Sequence, residues 1–82
     1  MKAVVLVRPK EGILDPQGDA VRQSLRKLGF DVSGTRVGRL IDLDLDAEDR
    51  AEAEAQLERM CSELLANPLI ESYEIVLPGS SP

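Results

Sequence analysis

The sequence contains no histidine, no tryptophan and a single cysteine. Without histidine, the chain has no imidazole that could act as a general base or bind a metal ion near neutral pH. The single cysteine, Cys61, cannot form a disulfide within the chain, which fits a reducing compartment. We therefore expect a cytoplasmic protein that does not depend on a disulfide bond or on histidine chemistry.

Aromatic residues are scarce, and basic residues are outnumbered by acidic ones. Tyr73 and Phe30 are the only aromatics, and the net charge is −5 with an isoelectric point near 4.6. An acidic surface does not neutralise phosphates, so nucleic acid and anionic membranes are not expected partners. The first apolar run, MKAVVLVR, stops at Arg8 and is too short to span a bilayer.

The sequence also offers no convincing catalytic or metal site. Asp42, Asp44 and Asp46 alternate along a predicted strand, where same-face neighbours lie about 7 Å apart, too far to share one ion unaided. Cys61 lies on the apolar stripe of a predicted helix, where free cysteine packs as a small hydrophobe. We expect no catalytic residue, no metal and no cofactor bound by this chain.

The hydrophobic pattern of the first half predicts a strand and a helix. Residues 2–9 are apolar on both faces, as in a strand buried on both sides. Asp15 suits the N-cap and Pro16 the first position of a helix over 16–28, which Gly29 would end. The apolar stripe of this helix consists of Val21, Leu25 and Leu28.

The second half predicts a strand, a helix and a last strand. Alternation over 36–46 indicates a strand that Gly38 interrupts, preceded by a possible short strand over 30–33 and a turn at 33–34. Asp46 is expected to cap a helix whose apolar stripe runs from Ala53 to Leu65. Asn67 and Pro68 end this helix, and residues 69–77 form the last strand.

This order predicts one α+β domain over residues 1–77, followed by a polar tail over 78–82. We expect a sandwich related to the ferredoxin-like fold, with an antiparallel sheet of three main strands, a possible short fourth strand, and two helices on one face. The opposite face would then expose apolar side chains of several strands. Monomers rarely leave such a face open, so we expect a second copy or another protein to cover it.

The corner before the first helix is unusual because of the residues that it combines. Capping explains Asp15 and Pro16, but a glycine in a first helical turn costs about 0.5–1 kcal/mol relative to alanine. The corner is therefore either a structural cap or a contact surface. Its candidate residues are Gly12, Leu14, Asp15, Pro16, Gln17 and Gly18.

Three segments in order resemble the PurS family. They are KEGILDPQGDAVRQSLRKLGF, VGRLIDLDL and LLANPLIESYEI, and together they span nearly the whole chain. PurS proteins are the small subunits of bacterial and archaeal phosphoribosylformylglycinamidine synthase. The resemblance implies a role in purine biosynthesis, where the whole enzyme converts formylglycinamide ribonucleotide to the amidine with glutamine, ATP and Mg.

The resemblance also implies specific partners. The small subunit would bridge a large synthetase subunit (PurL) and a glutaminase subunit (PurQ), would form homodimers or tetramers through its sheets, and would carry no active site of its own. The corner after the first strand would contact a partner subunit. A second contact corner is expected at Asn67, Pro68 and Glu71.

One alternative from another functional class remains open at this point. ACT-like regulatory domains share the βαββαβ order and bind amino acids near a loop after the first strand. Residues 10–18 fit that interpretation as well. Calorimetry with amino acids would separate the two, since a bridging subunit predicts no tight amino-acid binding.

Overall fold

The computed structural model describes residues 1–78, which form five regular elements and one helical turn. These are β1 (Lys2–Pro9), α1 (Pro16–Lys27), β2 (Arg39–Asp44), α2 (Arg50–Met60) and β3 (Glu71–Val76), and α2 continues as a π-helical turn (Cys61–Leu65). The strand order is β2-β1-β3, and both pairings are antiparallel. The predicted α+β class, with a three-stranded antiparallel sheet and two helices, is confirmed.

The core lies between the central strand and α2. Alternate residues of β1 are almost completely buried, as are residues one turn apart on α2. The strand therefore packs one row of side chains against one helical stripe, as its pattern predicts. The buried residues are Ala3, Val5, Val7, Leu45, Ala53, Leu57, Cys61, Ala66 and Leu77.

The strand β2 is shorter than the predicted range of 36–46. Gly38 lies so close to the carbonyl group of Val7 that a Cβ atom there would collide with it, so regular pairing begins at Arg39. The glycine that interrupts the predicted strand therefore marks a close approach of two backbone segments. Beyond Asp44, Leu45 still exchanges two hydrogen bonds of 2.7 Å with Met1.

The possible short strand over 30–33 is absent, and no hairpin forms at 33–34. Such a hairpin would have paired residues 30–33 with the outer edge of β2, which carries no further strand among the described residues. Residues 30–38 instead lead back to the start of α1, where the amide of Val37 donates to Asp15 and the carbonyl oxygen of Thr35 lies beside Gly18.

The strand β3 starts at Glu71, two residues later than predicted. The carbonyl oxygen of Asn67 accepts hydrogen bonds from the amides of Ile70 (3.1 Å) and Glu71 (2.7 Å). Residues 67–70 therefore form a turn. The predicted polar tail over 78–82 lies outside the described residues except for Pro78, so that boundary stays a prediction.

Both helix starts are capped by aspartate. Asp15 and Pro16 hold the predicted positions at α1, and Gly29 has a φ of +99° just after the helix. At α2 the cap is Asp49, whose side chain accepts from the amide of Glu52, and the predicted cap at Asp46 is wrong. The helix begins at Arg50, so Asp49 directly precedes it and its side chain reaches the free amide of Glu52, three positions along the chain.

The two helices differ in burial. Ala53 and Leu57 of α2 are fully buried, whereas Gly18 is the one buried residue of α1. The apolar stripe of α1, expected to pack against the sheet, stays largely exposed. No helix within residues 1–78 is long and apolar enough to cross a membrane.

Candidate partner-contact surface

The carboxylate of Asp15 organises the corner after β1. Its Oδ1 accepts from the amide of Gly18 (3.0 Å), and its Oδ2 accepts from the amide of Val37 (2.9 Å). These hydrogen bonds favour the charged form, so they lower the pKa of Asp15, with Val37 the larger cause and Gly18 the smaller. One side chain thus caps α1 and ties it to the segment before β2.

Two glycines give this corner its shape. Gly18 is buried, and a Cβ atom there would lie 2.5 Å from the carbonyl oxygen of Thr35 and would also collide with Asp15. The glycine in the first turn is therefore required by a close approach within the chain. Gly12 has a φ of +82°, which side chains rarely tolerate.

The remaining residues of the corner point outward. Leu14 is 87% exposed, and Pro16 and Gln17 are exposed beside it. The hydrogen bonds of Asp15 hold this loop in place, so Leu14 presents an exposed apolar side chain at a fixed position. The corner therefore combines a structural cap with an outward apolar residue.

The second corner is held by an ion pair. Arg39 of β2 donates to both carboxylate oxygens of Glu71 (2.7 and 3.1 Å), and the same carboxylate accepts from the amide of Asn67 (2.8 Å). The pKa of Glu71 is lowered, first by the hydrogen bond from Arg39 and then by that from Asn67, and the pKa of Arg39 is raised by Glu71. The side chain of Asn67 in turn accepts from the amide of Leu69 (3.1 Å).

The structure brings the two predicted corners together at one end of the sheet. The amide of Lys10 donates to the carbonyl oxygen of Ile70 (2.9 Å), and its Nζ donates to that of Pro68 (2.7 Å). We call the two loops, residues 10–18 and 66–71, the corner surface. It exposes Leu14 and Leu69, the latter 83% exposed, with Ile13 and Ile70 less so.

Sequence reasoning found the loops of this surface but missed some of its residues. The pattern predicts a strand at Leu69, and it gives Arg39 no role in the contact surface. Arg39 instead braces the second corner from β2, 32 positions away from Glu71. A contact between residues so distant in sequence leaves no local pattern that would predict it.

The described residues offer little for catalysis. They contain no group of three histidine, cysteine, aspartate or glutamate side chains placed to hold a metal ion. Cys61 is buried, and burial is the first cause that raises the pKa of its thiol, so it is a poor nucleophile. The exposed apolar side chains of Leu14 and Leu69 suit the corner surface to contact with another protein.

Comparison with known proteins identifies the family. The family model described as "PurS: Phosphoribosylformylglycinamidine (FGAM) synthase" matches residues 2–79. The phosphoribosylformylglycinamidine synthase subunit PurS of Synechocystis sp. is 50% identical over 70 residues, which cover 84% of this chain and 68% of that protein.

Two solved structures of Thermotoga maritima resemble the chain closely. The crystal structure of the purS subunit of its phosphoribosylformylglycinamidine synthase matches with a TM-score of 0.84 at 33% identity, covering 92% of this chain and 87% of that one. The structure of PurLQS matches with the same TM-score and identity, covering 92% and 93%. These matches confirm the resemblance seen in the three sequence segments and favour it over the ACT-like alternative. The chain belongs to the PurS family, whose members are subunits of phosphoribosylformylglycinamidine synthase.

Proposed function

We propose that this chain is the non-catalytic small subunit of phosphoribosylformylglycinamidine synthase and that it bridges the glutaminase and synthetase subunits. The corner surface carries the proposal, because two of the three segments that resemble the PurS family converge there. Hydrogen bonds and an ion pair hold its loops in place, and it exposes the apolar side chains of Leu14 and Leu69. The assembled enzyme would convert formylglycinamide ribonucleotide, glutamine and ATP to formylglycinamidine ribonucleotide in the cytoplasm. ATP and Mg would be bound by the complex and not by this chain.

A bridging role follows from the chemistry of the reaction. Ammonia released from glutamine is protonated or lost if it enters bulk water, so the two active sites must be held together. A bridge needs fixed surfaces and no reactive side chains of its own. The PurLQS structure of T. maritima, which this chain resembles, is consistent with such a role.

The predicted contact residues divide into two groups by their burial and hydrogen bonds. Leu14, Pro16, Gln17 and Pro68 are exposed and are proposed to touch a partner subunit. The others hold the loops in place from within the chain. They are Gly12, Asp15, Gly18, Asn67 and Glu71.

Reconstitution with the synthetase and glutaminase subunits of the same organism tests the proposal. Leu14→Asp and Leu69→Asp should weaken capture of the partner subunits on the order of tenfold or more, because a buried charge at the centre of an interface is costly. Glutamine-dependent product formation with Mg and ATP should fall in parallel, while ammonia-dependent synthesis by the synthetase should persist.

The matched control is Ala51→Asp, which adds the same charge at an exposed position on α2, away from the corner surface. It should leave capture and activity unchanged. The proposal fails if the chain does not bind the other subunits at all. The corner assignment fails if Leu14→Asp and Leu69→Asp bind and support synthesis as well as the control.

A further inference from the structure

A cleft of about 680 Å³ lies beside the first corner. It is lined by the loop after β1 (residues 10–15), by side chains from the first two turns of α1 and by residues 34–36. Ile13 and Leu14 are among its lining residues, and Leu14 is 87% exposed. The cleft therefore shares one wall with the corner surface, for which we propose partner contact.

Six charged side chains line the cleft, and three of them are neutralised within the chain. Asp19 and Arg22 form an ion pair of 2.7 Å on α1. The carboxylate of Asp15 accepts hydrogen bonds from two backbone amides and lies at the start of α1, where the helix dipole favours a negative charge. The other three charged side chains are Lys10, Glu11 and Arg36. The cleft thus keeps two positive charges against one negative charge.

Lys10 and Arg36 are held in place by backbone oxygens. The Nζ of Lys10 donates to the carbonyl oxygen of Pro68 (2.7 Å), and the guanidinium of Arg36 donates to that of Pro9 (3.3 Å). Neither side chain forms an ion pair with a carboxylate of residues 1–78. An ammonium has three N–H donors and a guanidinium has five. Both residues therefore offer a positioned positive charge and further donors to a ligand.

The distribution of charge along the chain makes these two cations notable. Residues 8–39 contain seven basic and four acidic side chains, a net charge of +3. The whole chain carries −5, so the remaining residues carry −8. Separate regions of opposite charge on one protein select partners of complementary charge. The cleft lies in the basic region of an acidic chain, which favours an acidic ligand there.

A carboxylate matches the two cations in charge and in hydrogen bonding. Hydrogen bonds from an ammonium or a guanidinium to a carboxylate are charge-assisted and about twice as strong as those between neutral groups. The apolar side chains of Ile13 and Leu14 lie on the same loop as Lys10. A small inorganic anion would leave these side chains without a contact. A protein segment that places an acidic residue beside an apolar one would use both features.

We propose that this cleft receives an acidic side chain of a partner subunit. Lys10 and Arg36 bind its carboxylate, and an apolar neighbour of that side chain packs on Leu14. The inference rests on the proposed function, because it assigns the chemistry of the partner segment at the corner surface. It also adds a requirement that an apolar contact alone does not have, since binding must depend on charge and on salt.

Capture of the synthetase and glutaminase subunits at roughly 0.1 M and 1 M salt tests the charges, because salt screens exposed ion pairs. Arg36→Gln and Lys10→Gln should each weaken capture roughly tenfold at the lower salt concentration, and the loss should shrink at the higher one. Arg36→Lys keeps the charge and should bind better than Arg36→Gln. The matched control is Arg59→Gln, which removes the same charge at an exposed position on α2 and should leave capture unchanged.

Glu11→Gln gives a test of opposite sign. It removes the negative charge that lines the cleft beside the two cations, so it should strengthen capture at the lower salt concentration. A general disturbance of the loop would weaken capture instead. The proposal is overturned if Glu11→Gln weakens capture, or if Arg36→Gln and Lys10→Gln bind the partner subunits as well as the Arg59→Gln control does.

Calorimetric titration of the purified chain with inorganic phosphate tests a small anion as the ligand. The wild-type chain should show no binding at micromolar phosphate, and binding there would assign the cleft to a free anion and overturn the proposal. Failure of this proposal is distinct from failure of the proposed function. If Leu14→Asp weakens capture while the charge variants do not, the bridging role stands and the cleft takes no carboxylate. If the wild-type chain captures neither subunit, both are wrong.

Discussion

Close contacts between backbone segments determine where this chain requires glycine. Gly38 has the carbonyl group of Val7 where a side chain would begin, whereas a Cβ at Gly34 would meet nothing within 4 Å. Both glycines lie in the segment that leads into β2, and the sequence alone does not show which of them the structure requires. Only the fold separates the required glycine from the tolerated one.

Replacing Gly38 with alanine should therefore destabilise the protein. We expect a loss of about 1–3 kcal/mol, because the methyl group meets backbone that cannot move away without disturbing the pairing of β1 and β2. Urea unfolding measures the change. Gly34→Ala is the control and should alter stability little; equal stability of the two variants would contradict the role assigned to Gly38.

Asp15 should make the stability of the corner depend on pH. Its pKa is lowered in the folded protein, so its contribution is complete above its ordinary pKa of 3.8 and is lost as pH falls through the folded value. Asp15→Asn should unfold at a lower urea concentration than wild type at pH 7. The difference should shrink in acid, and a difference that grows below pH 4 would count against this account.

The cap at Asp15 was predictable from the sequence, whereas its second hydrogen bond was not. An aspartate followed by proline is a local signal for a helix start. The bond to Val37 spans 22 positions and depends on how residues 30–38 return. Similarly, the sequence identified Leu14 as a contact candidate but gave no sign that Leu69 would lie on the same surface.

Secondary-structure elements followed the sequence where their patterns were periodic. The strand β1, the start of α1 and the faces of β2 were predicted, since they depend on alternation, helical spacing and caps. The short strand over 30–33 does not form because residues 30–38 return to the start of α1, where the amide of Val37 donates to Asp15. No pattern within the segment predicts that long-range contact. For the same reason the apolar stripe of α1 predicted a helix but not where that helix would pack.

The second corner depends on a brace between two strands. Glu71→Ala removes the acceptor for Arg39 and for the amide of Asn67. Because Arg39 is about half exposed, we expect a stability loss of at most about 1 kcal/mol. The clearer result should be local, as faster hydrogen exchange at the amide of Asn67.

A control variant on α2 distinguishes loss of the contacts of Glu71 from the loss of one negative charge. Glu54→Ala removes an exposed partner of Arg50 but no acceptor of a loop amide. It should leave exchange at Asn67 unchanged. If Glu71→Ala leaves that exchange rate unchanged as well, the loop is held by its own turn and Glu71 has no bracing role.

The whole molecule has a small core for a chain of its length. Among residues 1–78, nine buried hydrophobic residues form it, and residues 16–38 contribute none of them. A single core in so small a domain rarely supplies more than about 3–5 kcal/mol. The homo-oligomer expected for a member of the PurS family would add to this stability by covering exposed apolar side chains such as Leu28 and Phe30. It would also make the stability of the folded chain depend on protein concentration.

The melting temperature should therefore rise with protein concentration. Binding that favours the folded state stabilises it by mass action, so a hundredfold increase in concentration should raise the melting temperature by several degrees for a chain of this size. Calorimetry at matched scan rates measures the shift. Leu28→Glu, which places a charge on the exposed apolar stripe of α1, should melt at a lower temperature with little dependence on concentration. Gln23→Glu adds the same charge on the opposite side of α1 and should behave as the wild-type chain does.

The comparison between variants distinguishes association from a simple defect in the helix. A defect confined to α1 would lower the melting temperature of Leu28→Glu equally at every protein concentration. The melting temperature would then still rise with concentration as it does for the wild-type chain. Loss of the interface reduces the dependence of the melting temperature on protein concentration, because association no longer stabilises the folded chain. Parallel dependences of the melting temperature on concentration for wild type and Leu28→Glu would mean that α1 is stable without a partner and that its exposed stripe does not mediate association.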